Sequence, residues 1–90
     1  MSKGLQIAVF GKVQGVWFRK GTQIQARHLA LRGNVQNLED GSVLIQAYGD
    51  SEQLIQLQAW CKEGTQHAKV ERLEVIEIPF KALEEFTIIR

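Results

Sequence analysis

A glycine-bracketed segment near the N-terminus, Gly11-Lys12-Val13-Gln14-Gly15-Val16-Trp17-Phe18-Arg19, has the residue types of an anion-binding loop. It follows an apolar run and precedes a helical pattern, so we expect it to join a strand to the start of a helix. Backbone N–H groups at a helix N-terminus lack intrahelical partners, and the helix dipole favours an anion beside them. Gly11 and Gly15 allow the backbone to curl so that successive N–H groups can converge on one point. The segment therefore predicts a site for a phosphate-like anion.

The charges around this loop favour the same ligand. Arg19 and Lys20 lie in or beside the first helical turn, where the dipole disfavours a cation, and no Asp or Glu occurs from Lys3 to Asn37. A guanidinium group presents a planar pair of donors that suits phosphate or carboxylate oxygens. The residues alone leave open an exposed loop whose cations only face water. A nucleoside-triphosphate P-loop is excluded, because Gln6 stands where the first glycine of G-x-x-x-x-G-K-[ST] would be.

Asn37 is the second candidate, at the end of a predicted strand and just before an Asp40-Gly41 turn. Its amide can both donate and accept a hydrogen bond, which is enough to hold a water molecule against a bound phosphoryl group. Asparagine is also common beside turns, so the residues alone favour a purely structural role for Asn37 over a catalytic one.

Composition limits the class of protein. Ninety residues form one expected domain over 1–90, and 44% hydrophobic content is a globular value that excludes intrinsic disorder. The net charge of +1 argues against nonspecific nucleic-acid binding. Cys61 is alone, and neither His28 nor His67 has metal-ligand spacing, so we expect no disulfide, metal or cofactor. Without a long apolar run or a secretory pattern, the expectation is a cytoplasmic protein that does not bind membranes, and the near-neutral charge and small fold favour a monomer.

Hydrophobic periodicity and turn signals predict the elements that position these residues. We expect Gly33 to end the first helix in a left-handed conformation, and Asp50 to cap the second helix together with Gln53. The predicted elements are a strand over Leu5–Phe10, a helix from about Phe18 to Leu31, strands over Asn34–Glu39 and Ser42–Tyr48, a helix from Asp50 to Gly64, and strands over Val70–Ile78 and Phe86–Arg90. This order, β-α-β-β-α-β with a short extra strand, predicts an α+β, ferredoxin-like split βαβ sandwich, in which two helices cover one face of an antiparallel sheet.

At this point the sequence resembles the acylphosphatase family over nearly its whole length. Residues 13–19 match the family's V-Q-G-V-x-F-R signature, and residues 33–43 match its G-x-V-x-N…D-G-x-V block. The resemblance implies a ferredoxin-like fold and hydrolysis of the carboxyl–phosphate bond of small-molecule acyl phosphates, with inorganic phosphate or sulfate as a product-like ligand. It implies water positioning by Asn37, and phosphate binding by the Arg19 side chain with the backbone amides of Gln14, Gly15, Val16, Trp17, Phe18 and Arg19. Trp17 stands at a variable position, where it could alter which acyl group is accepted.

Hydrolysis of an acyl phosphate requires only a few functional groups, which agrees with the small set of candidate residues. An acyl phosphate expels a carboxylate whose conjugate acid has a pKa of about 4, so no general acid is needed. Phosphoryl transfer depends mainly on positioning and electrostatic stabilisation, which a guanidinium, a ring of amides and a held water can supply without a metal.

Two other functions are left open by the sequence. Ferredoxin-like sheets can bind RNA, but the RNP1 pattern is absent. The domain could instead be an accessory unit that binds phosphate without turnover, as acylphosphatase-like domains occur in larger carbamoyl-phosphate-handling proteins.

Overall fold

The computed structural model describes all 90 residues, which form five strands and two helices. In chain order these are β1 (Ser2–Lys12), α1 (Phe18–His28), β2 (Arg32–Asn37), β3 (Val43–Asp50), α2 (Ser51–Glu63), β4 (Lys69–Ile78) and β5 (Phe86–Ile89). The predicted order of elements is confirmed, with β5 as the additional strand. Neither helix has the length and the apolar content that spanning a lipid bilayer requires.

The sheet has the strand order β4-β1-β3-β2-β5. Strand β1 runs antiparallel to β3 and β4, and β2 runs antiparallel to β3. The ferredoxin-like arrangement is confirmed, but the sheet is mixed rather than wholly antiparallel, because β5 pairs parallel with β2. The connection over residues 79–85 carries the chain from one edge of the sheet to the other instead of forming a hairpin.

Alternation along the strands separates a buried face from a more exposed one. On β1, for example, Leu5, Ile7 and Val9 are buried, whereas Gln6 and Ala8 are only partly so. The helices contribute their apolar stripes to the same single core. The largest fully buried side chains are Phe18, Phe86, Ile7, Leu31, Ile45, Leu54 and Leu57. Both helices therefore cover one sheet face, as predicted.

Helix α1 ends earlier than the sequence suggests, and Ala30 rather than Gly33 takes the left-handed position. Ala30 has φ 59°, its N–H donates to Arg27 O at 3.0 Å, and the Leu31 N–H donates to Ala26 O at 2.9 Å. This is the hydrogen-bond pattern of a Schellman motif. The prediction for Gly33 is wrong: it lies within β2, where a Cβ would stand 1.9 Å from Gln46 O. Close approach of β3 requires the glycine there.

The predicted side-chain cap of α2 is also wrong. Asp50 is the N-cap residue, but its side chain makes no capping hydrogen bond; its carboxylate accepts one from the Met1 amine at 2.9 Å. That charged donor outcompetes a neutral backbone N–H and holds the pKa of Asp50 below its usual value. The other end is as predicted: Gly64, with φ 71°, follows the last helical residue.

Candidate active site

The structure brings Arg19 and Asn37, from separate sequence motifs, into the lining of one cleft. Its volume is about 670 Å³, within the range of small-molecule sites. The lining residues are Val13, Gly15, Trp17, Phe18, Arg19, Lys20, Asn37, Ile88 and Arg90. Three of them are cationic and none is acidic, so the cleft attracts an anion.

The loop between β1 and α1 curls through two left-handed residues. Gly15 has φ 74° and Trp17 has φ 66°, and Trp17 is the N-cap residue of α1. The left-handed conformation is costly for a residue with a Cβ, so Trp17 is a strained position at the start of α1. Gly11 has a different role from Gly15, because a Cβ on Gly11 would lie 2.1 Å from Lys69 O of the neighbouring strand. Gly15 therefore shapes the loop, and Gly11 permits close strand packing.

The backbone donors of the loop are not used within the protein. None of the N–H groups from Gln14 to Arg19 donates a hydrogen bond inside the chain, and the first helical bond runs from Gly21 N to Trp17 O at 2.9 Å. Helix α1 has no side-chain cap and no acidic residue in its first turn. Six N–H donors beside the positive end of the α1 dipole are therefore left without a partner within the chain, and four of them belong to the cleft-lining residues Gly15, Trp17, Phe18 and Arg19.

Gln14 ties this loop to the turn that follows Asn37. Its Nε2 donates to Leu38 O at 2.8 Å and to Ser42 O at 2.9 Å. On the other side, Thr65 Oγ1 donates to Val16 O at 2.6 Å. The two Gln14 bonds fix this loop relative to the end of β2, and the Thr65 bond fixes it relative to the segment that follows α2. Sequence reasoning assigned Gln14 only a backbone role and missed this one.

The side-chain oxygen of Asn37 lacks a hydrogen-bond partner within the protein. Alternation along β2 places Asn37 on the helix-covered face with Gly33 and Val35. Its Oδ1 is buried and has no hydrogen-bond partner within the chain. Buried polar atoms are nearly always hydrogen-bonded, so an unpartnered one at a cleft indicates that a water or a ligand completes it.

The Arg19 side chain also lacks a partner within the protein. It is half-buried and forms neither an ion pair nor a hydrogen bond within the chain. The neighbouring Lys20 Nζ contacts only Gln23 Oε1, at 3.2 Å. A guanidinium without a counter-ion beside free backbone donors can bind phosphate oxygens in a bidentate manner.

Other residue types that carry chemistry lie outside the cleft lining. Cys61 is buried in the core, and burial raises the pKa of its thiol to about 12, so it stays protonated. Trp60 packs its ring against Phe18 with centroids 5.4 Å apart. No group of three or more His, Cys, Asp or Glu side chains is placed to hold a metal ion.

The structure adds Ile88 and Arg90 to the cleft, which sequence reasoning did not predict. Both lie at the end of the chain, on or just after β5. They reach the cleft because β5 pairs with β2 at a register that sets Ile88 opposite Val35. No local sequence pattern encodes that pairing.

Comparisons with known proteins agree with this architecture. A sequence model described as acylphosphatase matches residues 5–88. An acylphosphatase of Marinobacter nauticus is 47% identical over 81 residues, which cover 90% of this chain and 86% of that protein. The structure of an acylphosphatase from Coxiella burnetii has a TM-score of 0.94 at 33% identity, with 98% of this chain and 93% of that one covered. The acylphosphatase crystal structure from Bacillus subtilis has a TM-score of 0.90 at 35% identity, with both chains covered completely. The chain belongs to the acylphosphatase family.

Proposed function

We propose that this protein hydrolyses the carboxyl–phosphate bond of small-molecule acyl phosphates, releasing a carboxylate and inorganic phosphate. The observation that carries the proposal is the meeting, in one cleft, of an unpaired Arg19, the unpartnered amide oxygen of Asn37 and a loop whose N–H groups from residues 14–19 have no partner within the chain. Membership of the acylphosphatase family supports the same reaction.

The phosphoryl group binds to the Arg19 guanidinium and to the backbone amides of residues 14–19. These donors neutralise the charge on the non-bridging oxygens, which grows more important as the transition state expands. Because the loop is fixed by Gln14 and Thr65 before substrate arrives, little reorganisation accompanies the reaction. The arrangement supplies the required charge from the protein itself, so we expect turnover without added metal.

Asn37 holds the attacking water. Its Oδ1 accepts a hydrogen bond from the water, which directs an oxygen lone pair at phosphorus. A new bond forms from the water oxygen to phosphorus while the bond from phosphorus to the acyl oxygen breaks. The electron pair of the broken bond leaves with the carboxylate, and the proton of the water passes to phosphate or solvent. A carboxylate leaving group needs no protonation, because the pKa of its acid is about 4.

A matched pair of asparagines on β2 tests the assignment. Asn34 also has a buried, unpartnered Oδ1, but it lies on the opposite face of the strand and does not line the cleft. Hydrolysis of benzoyl phosphate in EDTA is measured for the wild type, Asn37→Ala and Asn34→Ala, together with inhibition by inorganic phosphate.

We expect Asn37→Ala to lower kcat by about a hundredfold or more, because a misplaced nucleophile is that costly, while phosphate inhibition changes little. Asn34→Ala should stay near wild type in both. Parallel loss of kcat and phosphate affinity in Asn37→Ala would contradict the division of roles. Phosphate binding by a wild type that does not turn over would favour the accessory-domain alternative.

A further inference from the structure

Arg90 and Asn37 line the same cleft, although 53 positions (90 minus 37) separate them in sequence. The parallel pairing of β2 and β5 sets Val35 opposite Ile88 and Gln36 opposite Ile89. Strand β5 ends at Ile89; continued by one residue, this register puts Arg90 next to Asn37, at about the 4.8 Å spacing of neighbouring strands. Alternation from the buried Phe86 puts Arg90 on the same sheet face as Asn37.

The Arg90 side chain is free to bind a ligand in the cleft. It lines the cleft and makes no ion pair or hydrogen bond within the chain. No acidic side chain shares the lining, so no neighbour neutralises it there. Arg90 is exposed, so its guanidinium is accessible to a ligand.

The stereochemistry of the reaction indicates which part of the substrate Arg90 would meet. In an in-line displacement the attacking and leaving oxygens stand on opposite sides of phosphorus. If Asn37 holds the water, the acyl group points away from Asn37. A side chain next to Asn37 therefore faces the attacking water and the phosphoryl oxygens, not the acyl group.

We propose that Arg90 is a second catalytic guanidinium, which donates hydrogen bonds to the phosphoryl oxygens from the side of the attacking water. This proposal rests on the proposed function for its role in turnover, although the phosphate contact itself does not depend on turnover. Two guanidinium groups then bracket the phosphoryl group, with Arg19 at the start of α1 and Arg90 at the end of the sheet. The loss of either weakens ground-state binding as well as transition-state stabilisation.

The test compares the wild type, Arg90→Gln, Arg90→Lys and the control Arg27→Gln. Arg27 is exposed in the last turn of α1 and does not line the cleft, so its substitution makes the same change in net charge elsewhere. Two quantities are measured: kcat/KM for benzoyl phosphate, and the affinity for inorganic phosphate by calorimetry. Thermal unfolding checks that each variant is folded.

We expect Arg90→Gln to lose about ten- to a hundredfold in both quantities, as removal of a charged hydrogen bond does. Arg90→Lys should fall between Arg90→Gln and the wild type, because an ammonium keeps the charge but not the planar fork. Values for Arg90→Gln that match those of Arg27→Gln would overturn the proposal.

The phosphate measurement separates this proposal from the proposed function. If the wild type binds phosphate but does not hydrolyse acyl phosphates, a loss of affinity in Arg90→Gln still supports the contact, and only the hydrolytic function fails. If the wild type does not bind phosphate at all, both proposals are wrong.

Discussion

Removing the donor of Gln14 should weaken both the fold and the reaction, because this side chain joins the two halves of the site. The cleanest change is Gln14→Met, which keeps a side chain of similar length and removes the Nε2 donor. Its two hydrogen bonds, at 2.8 and 2.9 Å, reach carbonyl oxygens that keep other partners: Ser42 O accepts from Leu38 N, and Leu38 O accepts from Gly41 N. Neither acceptor is left unsatisfied, so only the net value of each bond is lost.

The expected loss of stability follows from the two hydrogen bonds that Gln14→Met removes. At about 0.5–1.5 kcal/mol for each net hydrogen bond, the free energy of unfolding should fall by about 1–3 kcal/mol. The effect on catalysis should be larger than stability alone suggests, because a displacement of about 1 Å between water and phosphorus can cost roughly a hundredfold in rate. We therefore expect kcat to fall about ten- to a hundredfold in a protein that remains folded.

Urea denaturation and steady-state hydrolysis of benzoyl phosphate measure the two effects on the same samples. Gln56→Ala is the control, since Gln56 is exposed on α2 and bonds only to Gln53. A stability loss of the expected size with an unchanged kcat would refute the idea that Gln14 sets the position of Asn37 relative to the loop.

Three further predictions concern other parts of the molecule. Ala30→Gly should raise the free energy of unfolding by about 0.5–1 kcal/mol, because relief of the left-handed strain at φ 59° outweighs the added entropy of the unfolded chain. Chemical denaturation measures this free energy, and a lower value for Ala30→Gly than for the wild type would contradict the strain. The Asp40 carboxylate accepts hydrogen bonds from the Ser42 hydroxyl and the Ser42 N–H, and these bonds hold the pKa of Asp40 below its usual value. Their contribution to the free energy of unfolding is therefore present above about pH 4, the pKa of Asp40 in the unfolded chain. It is lost as the pH falls through the lower pKa of Asp40 in the folded protein. The free energies of unfolding of the wild type and Ser42→Ala, measured across pH, should therefore differ most near neutrality and converge in acid. A difference between the two that does not change with pH would contradict this linkage. Trp17 is 77% exposed at the cleft, so Trp17→Ala should raise KM for benzoyl phosphate more than KM for acetyl phosphate, and equal changes would exclude contact with the acyl group.

The parts of the candidate site that could be predicted from the sequence are those where a residue is unfavourable for the secondary-structure element in which it lies. Arg19 in a first helical turn opposes the helix dipole, and the glycine loop before it needs unusual backbone angles, so both point to an anion. Asn37 is different: asparagine is unfavourable in a strand, but the strong turn signal after it favours a structural role, so its catalytic assignment comes from the family resemblance and not from the local pattern.

Features that depend on distant parts of the chain were not predictable. Arg90 reaches the cleft through the pairing of the last strand with β2, and the bonds of Gln14 span 24 and 28 positions. The same limit explains the error at Asp50, whose carboxylate bonds to the amine of Met1 instead of capping its own helix. At the end of α1, the preference of glycine for the left-handed conformation leads to the prediction of Gly33 as the helix terminator. In the structure Gly33 is needed for close packing of β2 against β3, and Ala30 takes the left-handed position.

The central claim, that the loop entering α1 is a backbone receptor for one phosphoryl group, is tested most directly by following amide NMR signals during titration with inorganic phosphate. The account predicts saturable shifts in the amide resonances of residues 14–19, all with the dissociation constant found for phosphate as an inhibitor, and no comparable shifts along α2 or β4. Saturating phosphate that inhibits hydrolysis and yet leaves those six amide resonances in place would contradict it.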